Sequence, residues 1–210
     1  MSNTIQTLSD RIHDVLRERL VNHDIPPGEP IRQDAFAAEF GMSKIPVREA
    51  LTRLEANGLV ISTPHKGYLA APLTLEEAEE LFTLRRLFEP ATTALAATVA
   101  DADQRADVRR RLEALEEAPQ NMKRTADERL ELLETLMAPA RRPTSLALMR
   151  HLFFRTERYV HMAPESGALD IQQVHSLLKA WLSGDRSKVE TLYRSRLDAR
   201  WSAARVNAAP

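Results

Sequence analysis

The helical period that governs most of this chain breaks immediately after Gly58, and the next segment cannot continue a helix. Leu59-Val60-Ile61-Ser62 is short and β-branched, Thr63-Pro64-His65-Lys66-Gly67 is turn chemistry, and Tyr68-Leu69-Ala70 can run back. The spacing predicts a two-stranded hairpin, with Ala71-Pro72-Leu73 as a brief linker. Before the break, three helices are expected. Ile12, Val15, Leu16 and Leu20 fall on one helical face, which ends at the breaker cluster Asn22 to Gly28. A short helix passes through Ala35, Phe36, Ala38 and Phe40 and stops at Gly41. The next opens with Ser43 as a candidate cap and Pro46 in its first turn, where a missing N–H costs little. Val47, Ala50, Leu51 and Leu54 are its inward face, and Gly58 is its stop.

From Thr74 onward the chain reads as all helical. Thr74-Leu75-Glu76-Glu77 is a capping box, and the helix it opens is apolar on more than one face, hence central. Pro90 is expected to kink or split it. Further helices are expected near 104–117, 125–137, 144–161, 170–182 and 186–206, separated by Pro119, Pro139 with Pro143, Pro164 with Gly167, and Gly184. The fold expected is mainly α: a winged helix-turn-helix over residues 1–72, then an all-α antiparallel helical bundle over 73–210.

Composition narrows the function classes. With 210 residues, 43% hydrophobic and 28% charged, the chain is globular, with room for one ordinary core or two small ones. The absence of Cys excludes a disulfide scaffold, a thiolate-bound zinc and a thiol nucleophile. No apolar run approaches the roughly 20 residues of a membrane span, and the first residues interleave charge too early for a secretory signal. The expectation is a cytoplasmic protein. Net charge is -1, so any grip on nucleic acid must be local; residues 43–68 carry a net +2.

That local charge lies on one helix face. With Val47, Ala50, Leu51 and Leu54 inward, Lys44, Ile45, Arg48 and Thr52 face outward near the helix N-terminus, where dipole and free N–H groups favour phosphate. Arg48 has the reach and the two donors to read guanine O6 and N7 in the major groove. The alternative is a solvated face on which Arg48 and Arg53 pair with Glu49, Glu55 or nearby acids.

The run Ser43-Lys44-Ile45-Pro46-Val47-Arg48-Glu49-Ala50-Leu51, with Arg53-Leu54-Glu55-Ala56-Asn57-Gly58-Leu59-Val60, resembles the GntR family of bacterial transcription regulators, whose signature reads approximately S-R-T-P-V-R-E-A-L-x-x-L-x-x-x-G-L-V. Pro27-Gly28-Glu29-Pro30-Ile31 resembles the family's entry motif. Lys44 stands where Arg is usual, losing the bidentate fork, and Ile45 where Thr is usual, losing a hydroxyl. The resemblance implies DNA contacts by Ser43, Lys44, Arg48 and the hairpin tip. The full set taken as DNA-binding is Arg32, Ser43, Lys44, Ile45, Pro46, Arg48, Thr52, His65, Lys66 and Gly67.

Leu84-Arg85-Arg86-Leu87-Phe88-Glu89-Pro90 with Leu95-Ala96-Ala97, and later Val174 to Ala180 with Gly184-Asp185, resemble the FCD effector domain found in one GntR branch. That resemblance implies a helical bundle, usually dimeric, around a pocket for a small organic acid, often with a divalent metal held by one Asp and three His. Carried over, the family's D-x-x-F-H falls on Asp127 to Glu131, its second His on His175 and its third on Arg196. Two of the four ligands remain. Asp127, Glu131 and His175 are then a candidate site for a divalent metal, zinc or similar, while Arg196 argues for a metal-free pocket gripping a carboxylate. Arg85, four residues before Glu89, is a further candidate cation or a structural ion pair; His151 and His161 read as incidental.

The function expected is a ligand-responsive, DNA-binding regulator, not an enzyme, acting as a homodimer on a pseudo-palindromic double-stranded operator. The alternatives are a metal-assisted hydrolase built on Asp127, Glu131 and His175, and a helical protein-interaction module.

Overall fold

The computed structural model describes residues 7–64, 67–117, 125–161 and 166–207, with the side chains of 166–170 and of 206 and 207 left aside. The chain divides into two compact units, Met1–Leu73 and Thr74–Pro210.

In the first unit, α1 (Leu8–Val21) starts with a reciprocal capping box between Thr7 and Asp10. The strand β1 (Pro30–Ile31) precedes α2 (Gln33–Glu39) and α3 (Lys44–Ala56). Strands β2 (Val60–Thr63) and β3 (Gly67–Ala70) come next. Ile12, Leu16 and Leu20 of α1 close on Val47, Ala50, Leu51 and Leu54 of α3, and all seven are essentially inaccessible. Gly58 terminates α3 with φ at +69°, a left-handed turn that a side chain would strain. Ser43 holds the N-cap position of α3, yet its hydroxyl makes no capping bond.

The sheet has three strands rather than two, in the order β1-β3-β2, all antiparallel. Pro30 faces Leu69 and Ile31 faces Tyr68, while Ser62 faces Tyr68 from the other side. Two residues, one of them proline, carry no strand signal of their own; the edge of β3 makes them a strand.

The described elements of the second unit are all helices. The long α4 (Leu75–Val99) packs chiefly on α9 (Arg186–Asn207) and on α7 (Pro143–His161). Around them stand α5 (Ala102–Glu117), α6 (Ala126–Met137) and α8 (Ser166–Ser183). Only half of the capping box at Thr74 forms: its hydroxyl accepts from Glu77 N–H. The Thr74 N–H donates instead to the Tyr159 hydroxyl, which donates on to Glu77, so the box is closed through a residue of α7.

Pro90 does not split α4, which continues for nine residues beyond it. A proline leaves the carbonyl four residues earlier without its helical N–H. That carbonyl belongs to Arg86, and Arg194 of α9 donates to it at 3.2 Å. The core of this unit centres on Trp181, wholly buried, whose indole N–H donates to the Leu136 carbonyl at 3.0 Å.

Candidate functional site

The outward face of α3 is where the sequence placed it. Ser43, Lys44, Ile45, Arg48 and Thr52 are exposed, and Pro46 is half-buried beside them. The reason is the phase of the helix: four inaccessible apolar residues fix one side against α1, and 3.6 residues per turn leave Ile45, Arg48 and Thr52 in a stripe on the other. Lys44 is ion-paired with Asp34 of α2. Arg53 pairs, as the alternative expected, with a nearby acid: it reaches Asp10 of α1 at 2.6 Å rather than Glu49 or Glu55. The Asp10 carboxyl is lowered to about 2, first by the Thr7 hydroxyl and then by Arg53. Glu55 is also occupied, accepting from Ser62 N–H at 3.0 Å. Arg53 and Glu55 therefore hold α3 to α1 and β2, and Arg48 stays outward.

Thr52 Oγ1 donates to the Arg48 carbonyl at 3.0 Å and lies 3.2 Å from the Tyr68 hydroxyl on β3. Tyr68 ties the hairpin to the outer face of α3, a role no local sequence signal reveals. Gly67 is exposed with φ at +78°, and Arg32 is exposed at the N-cap of α2. His65 and Lys66 lie outside the described residues.

The effector candidates in the helical unit divide into two groups. Asp127, Glu131 and His175 do not converge. Leu132, Leu133, Leu136 and Met137 turn inward on α6, which leaves Asp127 and Glu131 exposed. Glu131 pairs instead with Arg111 of α5 at 2.8 Å. On α8 the inward residues are Val174, Leu177, Leu178 and Trp181. His175 is one residue, about 100° of helix, out of that face. Its Nε2 lies 2.9 Å from Glu116, which also holds Lys179 at 3.2 Å and is lowered below the usual carboxylate range by both. Among the described residues no three Asp, Glu or His side chains are placed to hold a metal. The metal that the FCD resemblance implies does not fit the donors at these positions, and the hydrolase alternative loses its three groups with it. Glu131 instead lines a cleft of about 280 Å³ with Arg111, Glu128 and an apolar floor of Ala114, Leu115, Leu132, Val174 and Leu178.

Arg85 and Arg196 do meet in one place. Both are buried, at 1% and 3% exposure, within a polar network that spans α4, α6, α7 and α9. Arg85 grips Glu89 with two bonds, at 2.8 and 3.1 Å, donates to Thr156 and lies over the Phe153 ring. Burial disfavours the Arg85 charge, and Glu89 outweighs that, raising its pKa above the ordinary arginine value. The Tyr193 hydroxyl donates to Glu89 at 2.8 Å; burial and Glu89 push its pKa up, while Arg85 and Arg196 pull it down. Glu157, 1% exposed, accepts from Arg129 at 2.9 Å and from Arg200. Burial opposes its charge, but Arg200, Arg129 and Arg85 win and hold its carboxyl below the usual range. Sequence reasoning found Arg85, Glu89 and Arg196 and missed Arg129, Thr156, Glu157, Tyr193 and Arg200. The available signal was the i,i+4 recurrence of Arg196 and Arg200 beside Leu197 on an otherwise apolar face.

An outward basic helix carried by a small winged unit, followed by a helical bundle with a charged interior, defines a class: transcription regulators that pair a winged-helix reader with a helical regulatory domain. A family model described as "Bacterial regulatory proteins, gntR family" matches residues 8–69, and the "FCD domain" model matches 80–199. The chain belongs to the GntR family of bacterial regulators, in its FCD branch.

Among curated relatives, it is 29% identical over 111 residues to the uncharacterized HTH-type transcriptional regulator YdhC of Bacillus subtilis (strain 168), covering 53% of this chain and 50% of that protein. It is 29% identical over 97 residues to the HTH-type transcriptional repressor RspR of Escherichia coli (strain K12), covering 46% and 42%. The chain thus spans about half the length of the curated relatives it matches. Among solved structures, E. coli McbR/YncC superposes with a TM-score of 0.74 at 20% identity, over 94% of this chain and 97% of that one. A GntR regulator from Rhodococcus sp. RHA1 superposes with a TM-score of 0.71 at 19% identity, over 96% and 99%. At these identities the likeness shows the shared fold. No helix among the described residues is long and apolar enough to cross a membrane.

Proposed function

We propose that this protein is a cytoplasmic, homodimeric, ligand-responsive regulator. Residues 1–72 bind a pseudo-palindromic operator, and residues 73–210 dimerise and bind a small carboxylate without a metal. The observation that carries the DNA reading is the exposed stripe of Ile45, Arg48 and Thr52 along α3, with Lys44 beside its N-terminal end. Arg48 is the base reader; Arg32, Ser43, Lys44, Pro46 and Gly67 set its register against the backbone. Two such helices related by a two-fold axis read two half-sites.

The carboxylate reading is supported by the interior charge. Arg85 and Arg196, 1% and 3% exposed, both act on the Tyr193 hydroxyl inside the bundle. A buried guanidinium presents a planar pair of donors that matches a carboxylate, which is the chemistry an organic acid needs. An effector that binds the DNA-competent and DNA-incompetent states unequally shifts operator affinity by that difference. Leu84 and Leu87, 37% and 70% exposed one turn apart on α4, support dimerisation through that helix.

Selection of duplexes from a randomised pool tests the proposal. Arg48→Ala is expected to weaken the selected duplex by about 1–3 kcal/mol and to relax one base position. A loss equal on all sequences makes Arg48 a phosphate contact. In the presence of a responsive carboxylate from a mono- and dicarboxylate panel, Arg196→Ala is expected to abolish the response and spare DNA binding; an unchanged response removes Arg196 from the site.

A further inference from the structure

The outward face of α3 holds a residue that electrostatics and hydrogen bonding do not explain. Ile45 is 69% exposed, against complete burial of Val47, Ala50, Leu51 and Leu54 on the same helix. It sits in the first turn, at the end of the helix that carries Lys44 and one turn before Arg48. A helical side chain leans toward its own N-terminus, so Ile45 projects past that end rather than along the barrel of the helix. Thr52, at the other end of the stripe, has its hydroxyl engaged by the Arg48 carbonyl and Tyr68. The stripe thus offers a base edge two different surfaces: a guanidinium at Arg48 and a branched hydrocarbon at Ile45.

A major groove presents donors, acceptors and one apolar group, the 5-methyl of thymine. Ile45 can satisfy no donor or acceptor. Facing a cytosine amino group or a purine edge, it strips water from a polar group and returns nothing. Facing the thymine methyl, it buries hydrocarbon on both sides.

We infer that Ile45 is a specificity-determining residue, which selects thymine at one position of each half-site by contact with its 5-methyl group. The inference rests on the DNA-binding reading above and adds to it a base, a group on that base and the side chain that senses it.

The test uses the full chain and a duplex enriched from a randomised pool. Each thymine in turn is replaced by 2′-deoxyuridine, which removes the methyl and leaves every hydrogen-bonding group in place. Removing one buried methyl is expected to weaken the parent protein about three- to fivefold at one thymine per half-site. The same replacement is expected to leave Ile45→Ala unchanged at that thymine, whatever that variant's overall affinity. With that T·A pair changed to C·G, 5-methylcytosine should bind the parent more tightly than cytosine, and Ile45→Ala should not distinguish them. If no thymine is sensitive to methyl loss, or if Ile45→Ala keeps the same sensitivity, Ile45 does not read the methyl. If no duplex is enriched at all, the DNA-binding proposal itself falls, and this inference with it.

Discussion

Replacing Glu157 by Gln tests whether the interior network is an ionic assembly. Glu157 is 1% exposed and accepts from Arg129 at 2.9 Å and from Arg200, with Arg85 adding to the field on its carboxylate. Glutamine preserves the shape and one acceptor oxygen but removes the charge, leaving guanidinium groups facing one another in a buried site. Breaking a buried pair costs about 3–5 kcal/mol, and the retained acceptor places this case near 3 kcal/mol. At a urea slope of about 2 kcal/mol per molar, the unfolding midpoint should fall by roughly 1.5 M, with the slope itself unchanged. Both tryptophans, Trp181 and Trp201, belong to the second unit, so their fluorescence follows that unit alone. The measurement belongs in chloride buffer, because a carboxylate or phosphate buffer could supply the missing anion.

The pH dependence adds a second check. The Glu157 carboxyl lies below its ordinary value of 4.5, so the folded state favours the ionised form. Its contribution is present in full above about that value and is lost as the pH falls through the lowered one. The two midpoints should therefore converge on acidification. A neutral or stabilising Glu157→Gln at pH 7.5, or a difference that persists unchanged into acid, would refute an ionic network.

Other outcomes rest on single features. Trp181→Ala empties the centre of the helical core and removes the bond to Leu136, and should cost about 3–5 kcal/mol by urea unfolding. Leu84→Glu with Leu87→Glu should convert the proposed dimer to monomer in sedimentation velocity while leaving helix content intact; a dimer that survives moves the interface off this face of α4. His13, buried in α1, has its pKa pushed below 6.5 by burial. The unfolded state then takes up the proton more readily as the pH drops below 6.5. Amide exchange along α1 should accelerate, relative to the intrinsic rate, between pH 7.5 and 5.5, and His13→Phe should blunt that change.

The winged unit was readable because local signals there agree with tertiary ones. The breaker at Gly58, the inward spacing of Val47 to Leu54 and the β-branched run after it all point the same way. Strand β1 escaped because it exists only through pairing with β3. Among the residues the FCD resemblance singled out, Arg85 and Arg196 are buried while Asp127 and Glu131 are exposed, for one geometric reason. Each residue turns a helix by about 100°, so a small error in register carries a side chain from the core to the surface. Motif spacing placed Glu131 and His175 inward, whereas Leu132, Leu133, Val174 and Leu178 occupy the inward positions. The apolar period of α6 and α8 is the better guide to phase, since burial of four leucine-sized side chains outweighs any preference of one acid. Buried partners distant in sequence, such as Arg129 with Glu157 and Tyr193 with Glu89, leave no local trace.

The proline in α4 has a mechanical consequence. Along an unbroken helix, every interior carbonyl is already satisfied, so a neighbouring helix can slide past without losing a bond to its backbone. Pro90 creates one acceptor in want of a donor, at Arg86, and Arg194 supplies it from α9. A one-turn slip of α9 would carry that guanidinium to carbonyls that have no need of it and strand the one that does. Together with the Tyr193 bond to Glu89, this holds the two helices in one axial alignment, one of its notches cut by the residue expected to weaken them.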